Sequence, residues 1–193
     1  MAGNARYTAL LDACVLYPVS VADALMSVAV TGLFAPKWTT EIEAEWMGNL
    51  EAERPDLVGR LSFRRDNMRE AIPDWEISEA AWRPLVGSLT LPDPDDVHVL
   101  AAAIVGHADC IVTANLKDFP NDVLAGYDLT AVHPDDFLVA QLDLDEIAAL
   151  TAFKAMRARS KRPPFSPEEF ADVLERNGLA ATAERLREAA ALI

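Results

Sequence analysis

The stretch Leu91–Pro120, LPDPDDVHVLAAAIVGHADCIVTANLKDFP, decides how the rest of the chain is read, because it runs loop, helix, loop, strand, loop. Asp93, Asp95 and Asp96 stand just ahead of the apolar run Val97–Val105. A helix N-terminus would welcome them there, through its dipole and its free N–H groups. Capping accounts for one or two such acids, with Pro92 and Pro94 stiffening the turn. A third is more than capping needs, and mutually repelling carboxylates are costly unless solvated or given a counter-ion. Oxygen-rich clusters of this kind suit Mg²⁺ or Mn²⁺. Distant acids that could join them are therefore the next thing to seek.

Two present themselves. Tyr7–Leu11 reads as a short strand buried on both faces that runs into Asp12 and then a turn. In open parallel α/β sheets the carboxyl edge of the strands is where ligands bind. Thr40-Glu-Ile-Glu-Ala-Glu-Trp46 opens a helix that Thr39 or Thr40 can cap, with Glu41 and Glu45 one turn apart on one face. A solvated helix acid is the bland alternative for either.

Strand-end Asp, helix Glu and helix-start Asp, carried by LLDACVLYP, TTEIEAEW, PDPDDVHVLAAAI and DCIVTANLKDF in that order, resemble the PIN-domain family of metal-dependent ribonucleases, which includes VapC-type toxins. The likeness covers residues 7 to about 137. It implies an α/β, three-layer fold, with a central mostly parallel sheet flanked by helices, over residues 1–140. Residues 141–193 would be a helical C-terminal extension. It also implies Asp12, Glu45 and Asp96 as catalytic metal ligands, with Glu41 as the fallback for Glu45, and Asp93, Asp95, Asn115 and Asp118 in support. The commoner family pattern has Asp where Asn115 stands, so a second metal position depends on Asp118 taking over. Implied with these are Mg²⁺ or Mn²⁺, an RNA substrate, a cognate antitoxin protein and a homodimer.

Composition constrains this reading from the other side. A net charge of −14 opposes a generic nucleic-acid binder, which carries a basic footprint. Locally, Arg54, Arg60, Arg64, Arg65 and Arg69 form a basic stretch, and Arg64 and Arg65 are the RNA-contact candidates. Pairing with Asp56 and Asp66 on a solvated helix face competes with that role. Both cysteines, Cys14 and Cys110, sit in apolar strand-like runs and read as small buried hydrophobes. No apolar run reaches the roughly 18 residues of a membrane span and no signal peptide is visible, so the expectation is a cytoplasmic protein without membrane contact.

The remaining expectations are local. Pro18–Leu33 should be a helix stopped by Gly32, Phe34–Trp38 a short edge strand, Arg54–Glu70 a second amphipathic helix, and Ile77–Val86 a short helix broken by Pro84. Cys110–Thr113 and Leu129–Val132 should be strands. His98, two residues after Asp96 and so about 200° round a helix from it, is expected to face away from the acids. His107 and His133 lack ligand spacing. Asp145–Arg159 should present Ile147, Leu150, Phe153 and Met156 on one face; a linker-like break at Arg162 follows, then a Ser166 capping box and two further helices divided at Asn177–Gly178.

Two other classes stay open. One is a catalytically impaired PIN fold serving as an RNA- or protein-binding module, which Asn115 and the acidic charge favour. The other is a haloacid-type phosphatase, which would need an acid at position 14, where this chain has Cys. No Ser/His/Asp set, glycine-rich phosphate loop or zinc spacing competes.

Overall fold

A computed structural model describes residues 6–161 and 163–193, so the break expected at Arg162 lies in part outside the described residues. Among the described residues four short strands, β1 (Thr8–Leu11), β2 (Ala35–Lys37), β3 (Cys110–Val112) and β4 (Thr130–Val132), form one sheet in the order β2-β1-β3-β4. Every pairing is parallel, with Leu10 opposite Lys37 and Ile111, and Ile111 opposite Ala131. The inner strands are apolar without alternation because both of their faces are covered: Ala9–Leu11 and Cys110–Val112 have no exposed surface. Pro36, which lacks an N–H, is tolerated because β2 is an outer strand. A single bridge from Trp38 to Glu76 covers part of that edge, with the Trp38 N–H donating to Trp75 O and the Ile77 N–H to Trp38 O.

The helices are α1 (Ala13–Leu16), α2 (Val19–Val30), α3 (Thr40–Glu53), α4 (Ser62–Ala71), α5 (Glu79–Trp82), α6 (Val97–Val105), α7 (Asn121–Leu124), α8 (Pro134–Leu144), α9 (Glu146–Arg159), α10 (Pro167–Arg176) and α11 (Ala180–Glu188). Ala101, Ala102 and Ala103 are fully buried on α6, where small side chains permit close approach of the helix to its neighbours. Gly106 ends α6 against Ile77, and a Cβ there would stand 2.4 Å from Ile77 Cδ1. Among the described residues no helix is long and apolar enough to cross a membrane.

Four expectations need correction. Arg54–Glu70 is not one helix: a 3₁₀ turn at Pro55–Leu57 and Gly59 at φ 72° separate α3 from α4, since a backbone in the left-handed region cannot continue a helix. Ile77–Val86 is broken beside Pro84 as expected, but only Glu79–Trp82 is α-helix (α5), and Arg83–Ser88 is 3₁₀. Cys14 lies in α1 and not in a strand, because the chain turns at Asp12. Ile147 does not join the buried face of α9; it is 81% exposed, whereas Leu150, Phe153 and Met156 are buried.

The C-terminal helices are fastened by polar contacts as well as by apolar packing. Ser166 and Glu169 form the expected capping box of α10. Asp135, buried at the start of α8, accepts hydrogen bonds at 2.8 Å from the N–H groups of Ala181 and Thr182, the first turn of α11. Arg157 donates to Phe165 O (2.6 Å) and to Ile193 O (3.1 Å), and Arg159 bonds Asp23 Oδ1 and Ser27 Oγ on α2.

Candidate active site

The strand order makes the chain leave β1 for β2 on one side and reach β3 on the other, so a crevice opens between the carboxyl ends of β1 and β3. Asp12 and Thr113, each one residue past its strand, face each other across it. The ladder continues that far: the Asp12 N–H donates to Val112 O at 3.1 Å and the Thr113 N–H to Val132 O at 3.0 Å.

Asp12 is 2% exposed. Its Oδ2 accepts from Thr113 Oγ1 at 2.7 Å and from Cys14 Sγ at 2.9 Å. Each donor is in turn held by the loop after β3: the Ala114 N–H donates to Cys14 Sγ (3.2 Å) and the Asn115 N–H to Thr113 Oγ1 (3.0 Å). Burial raises the Asp12 carboxyl above its ordinary range, the Cys14, Thr113 and Ala13 donors oppose that rise, and Glu45 adds to it. Burial and the neighbouring Asp12 push the Cys14 thiol up to about 12, which leaves it a neutral donor near pH 7.

Asp96 closes a 3₁₀ turn, Pro94–Asp96, that leads into α6, and Asp93 caps this turn by accepting from the Asp95 N–H at 2.9 Å. The Asp96 carboxyl is pushed up to about 7, first by burial and then by the charges of Asp12, Asp93, Asp118 and Glu45. Those five acids therefore share one field. Asp95 is exposed, and its backbone N–H serves as the donor to Asp93. Asn115 is exposed and enters the network through its backbone N–H, while Asp118 ends the 3₁₀ turn Leu116–Asp118 half-buried. Between the two helix acids the structure discriminates: Glu41 is paired with Arg83 at 2.6 Å, whereas Glu45 acts on Asp12 and Asp96.

His98 corrects the sequence reading. Its Nε2 lies 3.4 Å from Glu45 Oε2, its side chain is 11% exposed, and its Nδ1 is buried without a partner among the described residues. The spacing within the Asp96–His98 segment could not report this contact, because the partner, Glu45, comes from α3. Thr113 and Cys14 were also missed. The parallel register would have found Thr113 once β1 and β3 were recognised as neighbours, since Leu11 pairs with Val112.

The basic stretch is largely engaged at home. Arg64 lies over the Trp46 ring, 4.6 Å from its centroid, and donates to the carbonyls of Tyr17 (3.1 Å) and Leu16; burial lowers it to about 10. Arg54 pairs with Asp56 and Arg65 with Asp66. Arg69 is tied to Glu43, a buried acid of α3 whose Oε1 also accepts from Trp38 Nε1 at 2.9 Å. Arg64 is thus a structural tie, and Arg65 keeps the more solvent-facing guanidinium contact.

A donor set of hard oxygens in one field, without a Lys or Arg paired to Asp12, Asp93, Asp96 or Asp118 among the described residues, fits a divalent cation. It is not a preformed cage, for among the described residues no three His, Cys, Asp or Glu side chains converge closely enough to hold an ion. One consequence is testable without substrate. An acid raised on folding binds its proton more tightly in the native state than in the unfolded one, so stability is highest with the proton bound and falls as pH rises from about 4 toward about 7. In EDTA, thermal melts of the wild type should lose midpoint over that window. Asp96→Asn should lose less, and Mg²⁺ or Mn²⁺ should restore the wild type at neutral pH. Parallel pH profiles for the two proteins would remove Asp96 from the shared field.

A family model described as "PIN domain" matches residues 8–117, and one described as "VapC50 C-terminal domain" matches residues 134–188. A protein of Mycobacterium tuberculosis (strain ATCC 25618 / H37Rv) named "Putative ribonuclease VapC50" is 49% identical over 79 residues, 41% of this chain and 47% of that relative. The aligned part thus spans about half the length of that relative. No solved structure matches the chain.

Proposed function

The chain belongs to the PIN-domain family, and from that premise we propose that it is an endoribonuclease dependent on Mg²⁺ or Mn²⁺ that hydrolyses RNA phosphodiester bonds. We further propose that it is the toxin of a type II toxin–antitoxin pair, cytoplasmic and homodimeric, with a small cognate antitoxin as its protein partner. The observation that carries this reading is that Asp12, Asp93, Asp118 and Glu45 all act on Asp96, with Asp12 at the β1/β3 crevice and no Lys or Arg paired to any of the five among the described residues. The name of the mycobacterial relative, a ribonuclease, points the same way.

Asp12, Glu45 and Asp96 would hold the cation, with Asp93 and Asp118 in support. Asp95 and Asn115, more exposed, would take part through water. A bound divalent cation supplies an acidified water and stabilises charge on the phosphate oxygens and leaving group. The chain's own contribution is orientation: Thr113 and Cys14 hold Asp12 Oδ2, and the 3₁₀ turn carries Asp96 within reach of the Asp12 charge. Residues 1–140 would carry the nuclease and 141–193 the extension, built onto it through α8 and the Asp135 cap of α11.

The test is incubation of the purified protein with a total RNA pool. Cleavage should need Mg²⁺ or Mn²⁺ and stop in EDTA; equal cutting in EDTA would refute metal dependence. RNA affinity offers a second readout. Arg65→Ala should reduce the slope of log affinity against log salt by about 1, one phosphate contact's worth. An unchanged slope would assign Arg65 to its pair with Asp66. The exposed, uncharged Asn115 favours one second reading, an impaired fold that binds RNA without cutting it, which the same incubation distinguishes.

A further inference from the structure

We infer that Cys14 is a positioning residue for Asp12: its thiol, with the Thr113 hydroxyl, commits one carboxylate oxygen so that the other is presented to the cation. The inference deepens the metal-dependent reading and rests on it. A proton count shows why. Cys14 has one S–H and Thr113 one O–H, and both lie on Asp12 Oδ2, at 2.9 and 2.7 Å. Their acceptor sides are taken by the N–H groups of Ala114 (3.2 Å) and Asn115 (3.0 Å). The 3.3 Å approach of Cys14 Sγ to Thr113 Oγ1 is then a contact between two groups whose protons are spent elsewhere.

The arrangement aims the carboxylate. Oδ2 takes both side-chain donors and Oδ1 takes no side-chain donor among the described residues; the remaining donor acting on the carboxyl is the backbone N–H of the adjacent Ala13. Because the donors are anchored to the backbone after β3 and Asp12 to the end of β1, the two hydrogen bonds restrict the Asp12 χ torsions and so hold the carboxylate in one orientation. A cysteine kept only for packing would need apolar neighbours at its sulfur; here the sulfur touches a carboxylate, a hydroxyl and an amide. Partners that orient metal ligands typically carry about 10–100-fold in affinity.

Mn²⁺ binding to the full chain, followed by the loss of the free-ion electron paramagnetic resonance signal, tests this apart from catalysis. Cys14→Ser keeps a donor and should bind within about threefold of wild type, while Cys14→Ala and Cys14→Val, donor-free and of opposite size, should each bind about tenfold more weakly. Circular dichroism establishes that each variant is folded; if the alanine cavity prevents folding, Val against Ser carries the comparison. Wild-type affinity in the donor-free variants, a loss in Ser equal to theirs, or a loss in only one of Ala and Val when both fold would overturn the inference. A wild type that fails to bind Mn²⁺ would instead overturn the metal reading beneath it, and this inference with it.

Discussion

Asp12→Asn should lower metal-dependent RNA cleavage by at least ~100-fold, because the contribution of a catalytic cation amounts to several kcal/mol of transition-state stabilisation and each 1.4 kcal/mol is tenfold. The amide retains the shape of the carboxylate and can still accept at one atom from Thr113 and Cys14, so the fold should survive. In EDTA the variant should even match or exceed the wild-type melting midpoint near neutral pH, since a buried charge repelled by Glu45 and Asp96 is removed. Cleavage rates and melts on the same preparations check both halves. A variant that cuts as fast as wild type would place the chemistry elsewhere, and one that unfolds would make Asp12 a structural acid.

The second large effect is on stability and lies away from the crevice. Glu43 is 3% exposed and joins three groups: Trp38 Nε1, Arg69 and, through Arg69, the Trp75 ring, over which that guanidinium sits at 4.6 Å. Trp38 stacks on Trp75 with ring centroids 5.1 Å apart, so the one carboxylate fixes the packing of α3, α4 and the segment beside β2. Glu43→Ala strands a fully buried indole N–H and an arginine. Breaking a buried pair costs about 3–5 kcal/mol, and the partial exposure of Arg69 brings the expectation to about 3. For a chain of this size that is a fall of about 6–12 °C in Tm. Glu43→Gln, which keeps an acceptor for Trp38, should fall by less. A Glu43→Ala midpoint within about 2 °C of wild type would show the site able to repack or hydrate.

Those two residues mark how far sequence reasoning reached. Asp12 was legible because a strand buried on both faces leaves a plain apolar run, and the first polar residue after it must lie at the carboxyl edge. Asp96 was legible from its helix start, whereas helical spacing left Glu41 and Glu45 on one face and only the family resemblance favoured Glu45; the fold adds that Glu41 turns to Arg83. Glu43 looked like another helix acid. Its role depends on Arg69 and Trp38, which reach it only through tertiary packing. Arg64 misled for the same reason: its distant partners are the carbonyls of Leu16 and Tyr17, and backbone acceptors leave no trace in a sequence. His98 was misjudged because its partner, Glu45, reaches it from α3, and Cys14 was misjudged by reading an apolar run through the turn at Asp12.

The central claim, that the acids at the end of β1, on α3 and in the Pro94–Asp96 and Leu116–Asp118 turns form a divalent-cation site, is tested most directly by locating the ion. Crystals soaked in Mn²⁺ should give an anomalous difference peak at the β1/β3 crevice, within coordination distance of Asp12 and of Asp96 or Glu45, and the peak should vanish in Asp12→Asn. Anomalous density only elsewhere on the surface, or a crevice peak that persists unchanged in Asp12→Asn, would contradict it.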